Sequence, residues 1–194
     1  MRPAFDALFD IDDAMADVVA ESTQPALGAI KLAWWRERLE ELDQGKVPSE
    51  PRLQAAAREL LPRGISGGDL AQLEAGWATL LQEQPDIDVL GQAGGGLFEI
   101  AARFLKSSDP ALRDAGRTYA FQMVQRRDLL ASGLPESDFR ELVGRVFPKS
   151  LRPLTALTAL AVRDLRRGDD REPEATPGRA IALLAHRLTG RIRL

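Results

Sequence analysis

Apolar residues recur at helical spacing along almost the whole chain, and this pattern constrains the fold more than any other feature. Residues three, four and seven positions apart lie on one face of a helix, so each such stripe predicts a buried helical face. No segment alternates apolar and polar residues for long enough to predict a strand. Leu, Ala, Arg and Glu dominate while Val and Ile are sparse, and unbranched side chains lose little rotamer freedom in a helix. The sequence therefore predicts an all-α fold.

The stripes predict a series of helices joined by short connections, several of them marked by proline or glycine. At 194 residues the chain fits one domain. A chain of this length buries enough apolar surface to fold without a metal or a disulfide. The polar run GDDREPEATPG, residues 168–178, predicts an exposed loop. The predicted helices cover about 3–21, 26–44, 51–61, 68–81, 86–106, 110–131, 136–146, 151–167 and 178–191.

The amino-acid composition argues against several classes of functional site and partner. The chain has no cysteine, which excludes disulfides, thiolate metal sites and a cysteine nucleophile. Its single histidine, His186, makes Ser-His-Asp and histidine-rich metal sites hard to build, and we expect a packed or half-exposed helical residue there. The net charge of −3 argues against a nucleic-acid partner. No apolar run reaches the ~18 residues of a membrane span, so we expect a cytoplasmic protein, at most peripheral to the inner membrane.

Two further runs are open to functional interpretation. The glycines at 94–96 lie inside a helical pattern with no Lys-Ser/Thr after them, so they predict close helix packing or a wider cavity rather than a phosphate loop. The basic end of the chain carries Arg179, Arg187, Arg191 and Arg193. These cations either favour a helix C-terminus or contact anionic lipid or a protein.

The segment GAIKLAWWRERLEEL is the most distinctive in the chain. Its adjacent tryptophans, Trp34 and Trp35, are about 100° apart around a helix, so both cannot face the same core. We expect one of them to pack inward and the other to face a groove, a neighbouring helix or a partner. Aromatic residues are enriched at interfaces, so this pair is the candidate interface, with Trp77 as a further tryptophan to consider.

The pattern P-A-L-G-x-I-x-L-x-W-W-R, residues 25–36, resembles the second-helix signature of the squalene/phytoene synthase family. The segments ALFDIDDAMADVV, AGGGLFEIAARFL and SLRPLTALTALAVRDLRR fit the same family in order and spacing. The likeness is to a divergent branch, similar to complex I assembly factors with a phytoene-synthase-like domain. It covers nearly all of residues 1–194, although typical members carry additional N-terminal residues. The resemblance implies a single helical domain of the isoprenoid (terpenoid) synthase type.

Catalytic members of the family hold Mg²⁺ against a prenyl diphosphate with two aspartate-rich motifs. Hard cations held by carboxylates neutralise the leaving diphosphate. Asp13 and Asp17, preceded by Asp12, stand where the first motif should lie, and their spacing puts both carboxylates on one helical face. The resemblance therefore implies a Mg²⁺ site at Asp13 and Asp17. Asp6 and Asp10 repeat the spacing, so a solvated acidic face is the alternative.

The second motif of the family is incomplete in this chain. The stretch YAFQMVQRRDLLASGLPESDF supplies Gln122, Arg127 and Asp128 at positions that bind substrate in catalytic relatives. The position four after Asp128 is Ser132 rather than an aspartate, and the basic G-R-x-Y segment is reduced to Gly-Leu-Pro at 133–135. One wall of the magnesium and diphosphate site is therefore missing from the sequence.

The sequence favours a squalene/phytoene synthase-like protein of isoprenoid-related function that has lost catalysis and acts as a prenyl-binding or assembly module. An active Mg²⁺-dependent prenyl-diphosphate transferase of the squalene/phytoene synthase type is the alternative. A structural helical protein without a ligand is the third possibility. The partners implied are a prenyl diphosphate or another isoprenoid lipid, or a protein partner in assembly.

Overall fold

The computed structural model describes residues 1–130, 137–168, 170 and 172–193, and these residues form an all-α protein. This confirms the predicted fold class. The one β pairing within these ranges is an isolated antiparallel bridge between Val146 and Arg191. Packing divides the chain into two compact units, Met1–Gly96 and Leu97–Leu194. Each unit is described separately below.

Unit 1 is built around its first two helices. Helix α1 packs against α2, α3 and α5, while α2 also packs against α4. Helices α2 and α3 both begin at a proline, which is favoured in the first turn because its missing N–H has no helical partner there. The helices of this unit are α1 (Arg2–Glu21), α2 (Pro25–Leu42), α3 (Pro51–Glu59), α4 (Gly67–Ala71), α5 (Glu74–Ala78) and the first part of α6 (Ile87–Leu105).

The core of unit 1 is formed by the inner faces of α1 and α2. Leu8 and Met15 of α1 and Leu32 and Leu39 of α2 have no exposed surface. Burying a side chain of this size contributes about 1.5–3 kcal/mol. The helical periodicity correctly predicted the burial of Leu8 and Met15 on α1. The inner face that it predicted for α2 is wrong in part, because Leu27, Ile30 and Trp34 of that stripe are exposed.

The single helix predicted over 68–81 is wrong, because the chain forms α4, then α5, then a 3-10 turn at Thr79–Leu81. The N–H of Leu73 donates to the carbonyl of Leu70, and the N–H of Gly76 donates to that of Leu73. These contacts span three residues and tighten the backbone between the helices. An apolar stripe persists through such a turn, so periodicity alone cannot detect the break.

Within its described residues, unit 2 contains the remainder of α6 and four further helices. Helix α9 packs against α7 and against α10, and Phe98, Phe121 and Phe147 are fully buried in the core. The helix predicted over 151–167 is confirmed by α9. The helices of this unit after α6 are α7 (Leu112–Arg126), α8 (Ser137–Arg140), α9 (Arg152–Arg167) and α10 (Pro177–Thr189).

Two predicted helices of unit 2 are too long. The helix predicted over 110–131 ends at Arg126, and Asp128 has a φ of +52°, in the left-handed region. The helix predicted over 136–146 is reduced to the single turn of α8. Ser132 and the Gly-Leu-Pro segment at 133–135 lie outside the described residues, so the predicted loss of the second motif stays a statement about the sequence.

Candidate functional site

The carboxylates of the predicted magnesium site lie on α1 in unit 1. Asp13 and Asp17 are half-buried and share one face of the helix. The preceding Asp12 is buried, and its Oδ1 accepts a hydrogen bond of 2.8 Å from the indole Nε1 of Trp77 on α5. Asp12 therefore connects two helices of the core. The role of Asp13 and Asp17 as metal ligands stays a prediction.

The two adjacent tryptophans of α2 have different environments, as expected from their positions around the helix. Trp34 is 41% exposed and Trp35 is 7% exposed. Their rings meet edge to face with centroids 5.3 Å apart. Trp34 continues an exposed apolar row formed by Leu27 and Ile30, and we name these three residues the α2 stripe. Trp77 is buried, which removes it from consideration as an exposed contact.

The residues carried over from the second motif lie in unit 2. Gln122 is buried on α7, whereas Arg127 and Asp128 follow the end of that helix, half-buried and exposed respectively. The amide Nε2 of Gln122 donates a 2.9 Å hydrogen bond to Oδ2 of Asp164. The structure therefore gives Gln122 a partner inside the protein. Substrate binding by these three residues stays a prediction.

Asp164 on α9 is the centre of a buried ion cluster that the sequence did not predict. Its carboxylate has no exposed surface and accepts from Nε of Arg126 at 2.9 Å. Arg179 Nη1 donates to both carboxylate oxygens, at 2.5 and 2.8 Å. Charge-assisted bonds of this kind are about twice as strong as neutral ones. We name Asp164, Arg126, Arg179 and Gln122 the Asp164 cluster; it joins α7, α9 and α10.

The sequence analysis grouped Arg179 with the basic end of the chain, as a cation at a helix C-terminus or a contact for lipid or protein, and for Arg179 this prediction is wrong. The side chain is 8% exposed and pairs with Asp164. Helix spacing offered one signal for the cluster, because Asp164 follows the buried Ala161 by three positions and so falls on the inner face. A charged residue on an inner face indicates a buried partner.

A second set of ion pairs fastens the loop between α9 and α10. Glu172 accepts from Nη2 of Arg163 at 2.8 Å and lies 3.0 Å from Nη2 of Arg167. Thr176 Oγ1 also donates to its carboxylate. The bond from Arg163 holds the pKa of Glu172 below its ordinary value, and the same bond raises the pKa of Arg163. The loop predicted to be exposed is therefore anchored at Glu172.

His186 is packed inside unit 2, as expected for a structural helical histidine. It is 1% exposed, with Nε2 2.9 Å from Thr155 Oγ1 and Nδ1 3.3 Å from the carbonyl of Arg191. Burial lowers its pKa, and the hydrogen bond to Arg191 opposes this shift. The ring is therefore neutral at physiological pH.

An open groove between α9 and α10 has the composition of a ligand site. Its volume is about 830 Å³. Arg152 Nη1 donates to the carbonyls of Arg187 and Leu188, at 3.1 and 2.8 Å, and so closes the end of α10. We name this the α9–α10 groove; its described lining combines apolar residues with three cations and no acid, namely Lys149, Arg152, Pro153, Ala156, Leu183, Arg187 and Leu188.

Sequence reasoning missed this groove because its walls come from separate segments. Lys149 and Arg152 precede or open α9, whereas Leu183 and Arg187 lie on α10. The sequence singled out Arg187 in the basic end, but nothing in the spacing placed Lys149 beside it. Only the packing of α10 against α9 brings these cations to one groove.

In the part of the chain that the structure describes, no group of three or more His, Asp or Glu side chains is arranged to hold a metal ion. No helix in that part of the chain combines the length and apolar character needed to cross a bilayer. The proposed Mg²⁺ site consequently rests on the resemblance and the spacing of Asp13 and Asp17.

The fold and these sites define an all-α protein with a buried ion cluster and a basic, apolar groove in its second unit. Comparison with protein-family profiles, with curated proteins and with solved structures gives no match to this chain.

Proposed function

We propose that this chain is a non-catalytic protein of the squalene/phytoene synthase type, with a terpenoid synthase-like fold, that binds a prenyl diphosphate or another isoprenoid lipid in the α9–α10 groove. The observation that carries the proposal is the composition of that groove. Ligand sites are clefts of roughly 300–1,000 Å³ with mainly apolar walls and a few polar groups, and the groove of about 830 Å³ has both features.

The chemistry of the groove suits a long apolar chain with an anionic head. Pro153, Ala156 and Leu183 offer apolar contacts, and burying apolar surface contributes about 25 cal/mol per Å². Lys149 and Arg187 are exposed cations on the same groove. Lysine and arginine both bind phosphate oxygens, with arginine donating two parallel hydrogen bonds.

The contact between Gln122 and Asp164 supports loss of catalysis, because it occupies a side chain that binds substrate in catalytic relatives. The amide of Gln122 donates to Asp164 inside the ion cluster, and the chain carries Ser132 where the family carries an aspartate. In the alternative, an active Mg²⁺-dependent transferase, Asp13 and Asp17 would hold the cation. The binding proposal needs no Mg²⁺, because Lys149, Arg152 and Arg187 supply positive charge at the groove.

Thermal unfolding in the presence of farnesyl and geranylgeranyl diphosphate tests the binding. A ligand that binds only the folded state stabilises it by about 2.7 kcal/mol at 100 times its Kd. We expect stabilisation by both ligands with and without Mg²⁺. The Ala156→Trp variant, which fills the groove, should lose it, whereas Ala29→Trp at an exposed position of α2 should keep it. Absence of stabilisation in the wild type would contradict the proposal.

Pyrophosphate release distinguishes the binding protein from the enzyme. The same diphosphates incubated with Mg²⁺ should yield no pyrophosphate. Release that disappears in both Asp13→Ala and Asp17→Ala would overturn the proposal and establish the transferase. The two variants also report on the metal role of these carboxylates, since neither lies in the α9–α10 groove.

The α2 stripe favours assembly with a protein partner as a second candidate function. Leu27, Ile30 and Trp34 are exposed apolar residues on one helix, and aromatic residues are enriched at interfaces. We propose a location in the cytoplasm, peripheral to the inner membrane. Assembly predicts a complex on native gels of cell extracts that Trp34→Ala abolishes and that Lys31→Ala, an exposed neighbour, leaves intact.

A further inference from the structure

Charge is distributed very unevenly between the two units. Unit 1 carries 8 basic and 17 acidic side chains, a net charge of −9, and unit 2 carries 18 and 12, a net charge of +6. The chain after Glu174 contains four arginines and no acidic residue. Charge asymmetry of this kind indicates an anionic partner for the basic part.

Helix α10 exposes an apolar face in the same region. Ile181 is 67% exposed, Leu184 58% and Leu188 70%. Their spacing of three and four residues places them in one row along the helix. We name these three residues the α10 face. Isolated exposed leucines need no explanation, but three large aliphatic residues in one row form a patch.

Cations surround one end of this face. Arg187 lies within the row, Arg191 and Arg193 follow the end of the helix, and Lys149 lies across the groove; all four are exposed. Within the described residues, none of the four forms an ion pair with a carboxylate. Their exposure makes them accessible to an external anion.

The opposite side of α10 is fastened to α9 by buried contacts, so the face lies on a helix that is already formed. Arg179 pairs with the buried Asp164 and His186 contacts Thr155. Arg152 closes the C-terminal end of the helix through two backbone carbonyls. A preformed helix does not lose further conformational entropy on binding, which favours association.

We infer that the α10 face docks the protein on the surface of a bilayer that contains anionic phospholipid. An apolar helical row lies in the boundary between headgroups and acyl chains, while neighbouring Lys and Arg reach phosphates and attract anionic lipid. Complementary charge selects this occupant, because the face combines exposed cations with aliphatic side chains. The inference rests on the peripheral location proposed above and does not require prenyl binding.

Cosedimentation with vesicles tests the inference. Wild-type protein should bind vesicles of equimolar phosphatidylcholine and phosphatidylglycerol and should not bind pure phosphatidylcholine. Raising the salt concentration should release it, because salt screens the attraction of exposed charges. The Leu184→Glu variant should bind the mixed vesicles about tenfold more weakly. Removing Arg191 by Arg191→Ala should weaken binding about fivefold.

Two variants provide the controls. Ile30→Glu on α2 changes a residue as exposed as Ile181, at 67%, and should leave vesicle binding unchanged. Ala156→Trp should lose prenyl stabilisation and retain vesicle binding, which separates failure of this inference from failure of the proposed function. Equal binding to both vesicle types, no binding to either, or undiminished binding by Leu184→Glu would overturn the inference. So would a dimer in sedimentation velocity that Leu184→Glu dissolves, together with no vesicle binding, since the face would then bind a second copy.

Discussion

At the scale of single residues, the most consequential group is the carboxylate of Asp164. It has no exposed surface and is the anion between Arg126 and Arg179. Replacing a buried ion pair by a matched apolar core is often neutral, whereas removing one partner leaves an unpaired buried charge. The cluster therefore makes unit 2 sensitive to the loss of this one negative charge.

Asp164→Asn should lower the free energy of unfolding by about 3–5 kcal/mol, because two buried or half-buried guanidinium groups then lack an anion. Urea unfolding followed by circular dichroism measures this change. Asp170→Asn, at an exposed position of the neighbouring loop, is the matched control and should change stability by less than about 0.5 kcal/mol. Equal stability of the two variants would show that Asp164 is not an essential counter-ion.

His186 should make stability depend on pH in the opposite sense from a salt-bridged histidine. Burial lowers its pKa in the folded protein below the ordinary 6.5. As the pH falls through 6.5, the unfolded chain therefore binds a proton at His186 more readily than the folded protein does. Stability conferred by the neutral ring is complete above this pH and is lost as pH falls toward the folded pKa.

Thermal unfolding measured at intervals below neutral pH tests this dependence. Wild-type stability should fall with decreasing pH, with a limiting slope from this group of about 1.4 kcal/mol per pH unit. His186→Gln, which retains a hydrogen-bonding side chain without this titration, should show a smaller fall over the same interval. Parallel profiles of the two proteins would exclude His186 as the source.

At the scale of elements, the long helices were predictable and their breaks were not. The periodicity of apolar residues predicted that α1, α2, α9 and α10 form, because each carries apolar residues at helical spacing. It did not predict which face is buried in α2 or α10, since apolar rows of both helices are exposed. It could not predict where α7 ends, since Asp128 adopts a left-handed conformation that most residue types rarely occupy. The Asp164 cluster and the α9–α10 groove could not be predicted from the sequence either, because both depend on contacts between residues of separate helices.

The entry to α4 depends on a close approach that only glycine permits. A Cβ on Gly67 would lie 1.9 Å from the carbonyl oxygen of Leu39, which is backbone and cannot rotate away. Oδ1 of Asp43 accepts from the N–H of Gly67 at 2.6 Å. Ser66 and Asp69 form a reciprocal capping pair at the same helix start.

Gly67→Ala should lower the free energy of unfolding by about 1–3 kcal/mol or more, since the backbone of α2 or α4 must shift to admit the methyl group. Gly68→Ala is the matched control. A Cβ on Gly68 would meet nothing closer than 3.7 Å. Alanine also lowers the conformational entropy of the unfolded chain, so this variant should be as stable as the wild type or slightly more stable. Urea unfolding of both variants measures the difference, and similar losses would show that the contact with Leu39 relaxes easily.

At the scale of the whole molecule, vesicle binding should depend more on the charges beside the α10 face than on the net charge of the chain. The chain carries a net charge of −3, yet unit 2 alone carries +6. Exposed charges separated by more than about 8 Å are largely screened at physiological ionic strength. An anionic surface against the α10 face should therefore respond to Arg187, Arg191 and Arg193, which lie on or directly after α10.

Two double variants separate local from net charge. Glu40→Lys with Glu83→Lys makes unit 1 less acidic at exposed positions and moves the net charge from −3 to +1. This change should leave vesicle binding at physiological salt nearly unaltered. Arg191→Glu with Arg193→Glu moves the net charge from −3 to −7 and should abolish binding, because it reverses the cations beside the α10 face. If the first variant instead binds mixed vesicles much more tightly than the wild type, attraction is set by the whole chain, and the orientation inferred from α10 is wrong.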